Sequence, residues 1–287
     1  VRHALADFSA FAFIPFAFWG LYRYTAVGGY WRLLIGAFST ALLVLSSTSV
    51  ALITFPALLL LFATMLFFEW KDRESSVIPA LARGLWLFIL ALGLSAFYWL
   101  PSLAETDFVH LHRRLEGPAD FHNHFLYIHQ LVFPQWGYGL SLPGSEDGMN
   151  FAIGPIHLLL LATSLWVSWR TATRLRQVGF LVPFFVSLSV LAGFFSIGTS
   201  AFIWERLSFL QMLQFPWRFL SLIAMGTGFV SGSMFLIFFR ESRWRATGLM
   251  WILIVALVVV GFPHAKPIGF VVINGSVTPS FIVTSGR

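Results

Sequence analysis

Five of the chain's eight histidines fall between residues 102 and 150, as His110-x-His112, His122-x-His124 and His129. In an extended segment, residues i and i+2 point the same way, so each His-x-His could offer two imidazoles to one zinc or manganese ion. Residues Phe121–Val132 also read as an interfacial helix, with Phe121, Phe125, Ile128 and Val132 at helical spacing. On that helix His122 and His129 share a face while His124 points elsewhere, which breaks the second pair. Two readings stand: a divalent-cation site on His110, His112, His122 and His129, or amphipathic side chains resting at the headgroup level of a bilayer.

The same region holds the acidic candidates Glu105, Asp107 and Asp147. Transfer onto a hydroxyl needs a carboxylate that takes the proton, or one that holds a divalent cation on a diphosphate. A water-facing loop also carries carboxylates simply for solvation. Asp7, in the apolar run at the start of the chain, is an isolated acid that can pair with Arg2, line a cavity or sit at an interface. Arg218, in Gln214-Phe215-Pro216-Trp217-Arg218-Phe219, lies about half a turn inside an apolar segment, where a guanidinium is expensive unless it snorkels or pairs. Its planar fork suits a phosphate or diphosphate. The competing reading is an interfacial arginine beside Trp217. No Gly-rich phosphate loop, GxSxG elbow or HExxH is present, and there is no cysteine for a thiolate nucleophile or a disulfide.

The segments that must position these groups are apolar. Hydrophobic residues make up 58% of the 287 and charged residues only 10%, against about 25% charged in soluble domains, so a cytosolic enzyme and a disordered segment are excluded. Apolar runs at Ala4–Tyr22, Leu33–Ser47, Val50–Phe68, Leu81–Leu100, Phe151–Trp169, Val178–Ile197, Phe215–Phe239 and Ala246–Phe262 predict about eight transmembrane helices. As one helix the charge-free stretch 33–68 would be about 54 Å long against about 30 Å of hydrocarbon. It therefore breaks into two helices, a short or re-entrant pair, at Ser46-Ser47-Thr48-Ser49, whose hydroxyls can satisfy freed backbone groups.

The net charge is +6. With the chain's start outside, Arg23, Arg32, Lys71, Arg83 and the arginines near 170–176 and 240–245 fall in short inner loops. The basicity is then topological, and nucleic acid is not an expected partner. The long outer loop 102–150 and the stretch Gly198–Gln214, with Ile203, Leu207 and Leu210 on one helical face, lie on the other side. Residues 263–287 read as an outer tail that opens a further domain, with short strands at Ile268–Ile273 and Phe281–Thr284 around Asn274-Gly275.

Four strings, VRHALADFSAFAFIPFAFW at 1–19, ALGLSAFYWLPSLAET at 91–106, LVFPQWGYGLSLPGSEDGMNFAIGP at 131–155 and LQFPWRFLSL at 213–222, carry a family resemblance. Together they resemble the bacterial multi-spanning membrane proteins named for a 6-pyruvoyl-tetrahydropterin synthase-related domain. Their architecture is similar to that of GT-C glycosyltransferases, which use polyprenyl-phosphate-linked sugars. The resemblance implies an inner-membrane, multi-pass protein in which Arg218 binds the donor phosphate and Trp217, Trp136 and Tyr138 line the site. It also implies a preceding loop with the catalytic base, so that a chain starting at Val1 is the C-terminal part of such a protein. Asp7, Glu105, Asp107 and Asp147 then stand on the acceptor side. Two positions depart from the family's pattern: Ser47-Thr48-Ser49 stands where relatives tend to show Ser-His-Asn, and Asp7 where they tend to carry Glu.

The expectation is thus an all-α integral membrane bundle spanning residues 1–262, with the bilayer and a polyprenyl-phosphate lipid as partners and a divalent cation as a conceivable cofactor. The alternatives are a lipid-handling or transport protein, and a non-catalytic scaffold of the same fold.

Overall fold

The computed structural model describes residues 2–71, 76–105, 108, 117, 120–133, 141, 143–144, 148–171, 180–241, 243–261, 270–273 and 276–279. The fold is α-helical. Eight long helices appear among the described residues: α1 (Arg2–Val27), α2 (Tyr30–Ser46), α3 (Thr48–Lys71), α4 (Val77–Ala104), α5 (Pro155–Thr171), α6 (Leu181–Ser196), α7 (Leu220–Glu241) and α8 (Arg243–Gly261). Each overlaps one of the apolar runs. By length and hydropathy, α3 and α4 are the two described helices able to cross a membrane.

The chain divides into two compact units, residues 1–121 with 191–225, and residues 122–190 with 226–287. In the first unit α1 to α4 run alternately up and down. Gly20 of α1 faces Gly36 of α2, and Asp7 reaches Ser47, so these helices are antiparallel. Thr48 bonds Tyr98 at 3.0 Å while Phe62 packs on Phe88 at 5.8 Å, which makes α3 and α4 antiparallel as well. Arg83, near the start of α4, bonds the carbonyls of Thr25 and Ala26 at the end of α1.

Local chemistry accounts for the connections. Gly28 and Gly29, at φ 73° and 102°, turn α1 into α2 in a conformation that side chains with a Cβ resist. The apolar stretch 33–68 breaks where its hydroxyl run predicts: Ser47 alone is extended, at φ −151° and ψ 111°, between α2 and α3. Its hydroxyl accepts from the Val50 N–H at 3.3 Å, satisfying one of the orphan donors at the start of α3.

The helices meet through small residues. Ala10, Ala17, Ala37, Ala41 and Ala91 are buried, and a Cβ on Gly20 would lie 2.3 Å from the Gly36 Cα, so the backbones touch. Close packing of this kind holds helices together where lipid removes the hydrophobic drive. The outer surface is apolar too, with Trp86 60% and Phe97 72% exposed on α4. An amphipathic helix of a soluble protein would place polar residues there.

Two sequence readings need correction. Residues Phe121–Val132 do not form one helix: a 3₁₀ turn at Phe121–His124 is followed by an extended link, and a new helix starts at Ile128. Buried Gln130 accepts the Tyr127 N–H at 2.8 Å, which caps the second helix and stops the first from running through. The face of Ile203, Leu207 and Leu210 is likewise split between Ala201–Trp204 and Ser208–Gln211, because Trp204 is wholly buried and the Gln211 amide folds back onto the Trp204 carbonyl at 3.0 Å. In the tail, β1 (Phe270–Ile273) pairs antiparallel with β2 (Ser276–Pro279), Ile273 opposite Ser276. The strand expected at Phe281–Thr284 lies outside the described residues.

In the second unit the Phe185 and Phe229 rings approach to 4.2 Å.

Candidate functional site

The alternating run of α1 to α4 gives the first unit two chemically different ends. One end collects Arg32, Lys71 and Arg83. There Arg32 Nη1 donates to the Gly28 carbonyl at 2.7 Å and Arg83 Nη1 to the Thr25 carbonyl at 3.1 Å, both at the C-terminus of α1. Helix C-termini carry unsatisfied carbonyls and partial negative charge, so these cations cap a helix.

The other end brings Asp7 and Arg218 together from 211 residues apart. Arg218 Nε donates to Asp7 Oδ2 at 3.4 Å, and the two side chains are 11% and 13% exposed. Ser47, the single extended residue between α2 and α3, donates its hydroxyl to Asp7 Oδ1 at 2.5 Å. The carboxylate is thus held by a hydroxyl on one oxygen and a guanidinium on the other.

The guanidinium has its own cradle. Pro216 starts a 3₁₀ turn, Pro216–Phe219, ahead of α7, where its missing N–H costs nothing. Just before it, Gln214 has φ 62°, and the Phe215 N–H turns back onto the Leu213 carbonyl at 2.7 Å. That tight three-residue turn is strained for a residue with a Cβ. It leaves the Leu213 carbonyl accepting also from Arg218 Nη1. The Phe215 and Trp217 rings stack at 5.3 Å, and the guanidinium carbon lies 5.1 Å from the first ring centroid and 5.9 Å from the second. A cation at that range is attracted by the negative faces of the rings.

Of the other candidates, Glu105 ends α4 with an exposed side chain, its N–H bonded to the Pro101 carbonyl at 2.9 Å. His122 and His129 are exposed and lie on separate short helices. His124 is buried, its Nδ1 2.9 Å from the Ser141 hydroxyl. Among the described residues no three His, Asp or Glu side chains cluster to hold a metal ion. Asp107, His110, His112, Trp136, Tyr138 and Asp147 lie outside the described residues.

Sequence reasoning singled out Asp7 and Arg218 separately, without the contact between them. It missed Ser47 as a site residue, although the hydroxyl run at the helix break was the signal. It also missed the Leu213 carbonyl and the Phe215 face, for which periodicity gives no sign.

No protein-family model matches the chain, and no curated protein or solved structure is significantly similar to it.

Proposed function

We propose that this chain is a multi-pass inner-membrane protein of GT-C glycosyltransferase-like architecture, about eight helices spanning the bilayer with α1 starting outside, whose Arg218 holds the phosphate of a polyprenyl-phosphate-linked sugar donor. The observation that carries the reading is the placement of Arg218: a guanidinium 11% exposed, framed by two aromatic rings, at the bundle end opposite Arg32, Lys71 and Arg83. The apolar outer faces of α1 to α4 support the bilayer as solvent, and the cations gathered at one end support the orientation. An arginine fork matches phosphate oxygens, and aromatic rings suit the interface where a lipid headgroup sits. Trp217 lines this site. Asp7, paired with Arg218, stands where donor and acceptor would meet, and Glu105 is an acceptor-side acid in this reading.

The test is transfer from a polyprenyl-phosphate-linked radiolabelled sugar, with Arg218→Ala beside the wild type. Arg218→Ala should raise the donor KM about tenfold or more, or abolish turnover, the loss expected for one charge-assisted phosphate contact. Unchanged kinetics would sink the role. A wild type that binds the lipid without transferring sugar would move the assignment to lipid handling.

A further inference from the structure

The Asp7–Arg218 pair has an uneven geometry, and the unevenness says how a ligand would enter. Charge-assisted hydrogen bonds settle at about 2.7–2.9 Å. Asp7 reaches that strength with the Ser47 hydroxyl at 2.5 Å, but meets Arg218 at 3.4 Å and through Nε alone. Arg218 in turn is positioned by groups other than Asp7: the Leu213 carbonyl on Nη1 and the Phe215 and Trp217 rings against its plane. Nη2 has no hydrogen-bond partner among the described residues. The carboxylate therefore neutralises the guanidinium without locating it, and Ser47 can keep the carboxylate satisfied if the guanidinium turns away.

Resting on the phosphate-binding reading of Arg218, we infer that Asp7 is a displaceable counter-ion: the phosphate monoester or diester of a lipid headgroup replaces Asp7 on Arg218, while Ser47 retains the released carboxylate. The closed pair then lowers the apparent affinity by the fraction of molecules in which it is closed. A carboxylate that served to position Arg218 would have the opposite effect on removal, so the sign of one substitution separates the two.

The protein, reconstituted in phosphatidylcholine nanodiscs, is titrated with a polyprenyl monophosphate and binding is read from tryptophan fluorescence. A parallel titration uses inorganic phosphate. Asp7→Asn should bind the lipid about fivefold tighter than wild type. Ser47→Ala, which leaves the carboxylate dependent on Arg218, should bind about threefold weaker. Equal or weaker binding by Asp7→Asn overturns the counter-ion role, whatever Arg218→Ala does. Wild-type binding by Arg218→Ala overturns the phosphate reading and the counter-ion role with it. The same gain for inorganic phosphate as for the lipid would assign the site to a free anion and overturn the headgroup. If Asp7→Asn does not fold, Ser47→Ala decides alone: affinity equal to or above wild type overturns the proposal.

Discussion

The two ends of the four-helix unit use the same guanidinium group in different ways. Arg32 and Arg83 donate to carbonyls left open at the end of α1, so their partners come from the backbone of a neighbouring helix terminus. Arg218 also takes a backbone carbonyl, from Leu213, but adds a carboxylate from α1 and two aromatic rings. A helix terminus supplies carbonyls wherever it lies, so capping needs only that an arginine be near it. The Arg218 site needs three separate segments to meet: the start of α1, the break at Ser47 and the strained turn before Pro216. An arrangement assembled from distant segments, with a carboxylate that could be exchanged for another anion, is the more expensive of the two. Function is the better reason to keep it.

The largest effect expected concerns what holds both ends in register. Gly20→Val places a side chain against the Gly36 backbone, where neither chain can give way, and should cost about 3 kcal/mol or more. Thermal unfolding in detergent reads this as a fall in Tm, and a stable variant would show that α1 and α2 are not in backbone contact. Next is Asp7→Ala, which leaves the Arg218 charge without its counter-ion and should cost about 2 kcal/mol, below the 3–5 of a fully buried pair. The double variant Asp7→Ala with Arg218→Met should recover most of that loss, because the stranded charge is then gone. No recovery would break the distinction between the ends. Arg83→Met loses only bonds to a helix terminus that water can replace, so about 1 kcal/mol or less is expected by the same assay. The last contrast is at Gln214. Glycine accepts φ 62° without strain and valine does not, so Gln214→Val should be about 1 kcal/mol less stable than Gln214→Gly.

Much of the helical layout was legible because long apolar runs stand out in the composition. Those runs mark the helices, and the hydroxyls at 46–49 mark the break that the structure places at Ser47. Arg218 was legible as a candidate because an arginine inside an apolar segment has to be accommodated by something. Asp7 was legible for the same reason, yet nothing near it in sequence names its partner. The helical reading of Phe121–Val132 failed for the opposite cause. Its apolar periodicity was correct, but the Gln130 side chain captured the Tyr127 N–H and started a new helix.

Local chemistry therefore determined the elements: their apolar length, the glycine turn at 28–29 and the proline that opens the 3₁₀ turn before α7. These depend on dihedral preferences and on burial of neighbouring residues, which a short window of sequence contains. Only the tertiary structure joined Asp7 to Arg218 across 211 residues and set Ser47 beside them. A hydrogen bond between distant segments depends on how helices pack, through contacts such as Gly20 against Gly36, and helical periodicity carries no information about which residue of another helix will stand opposite.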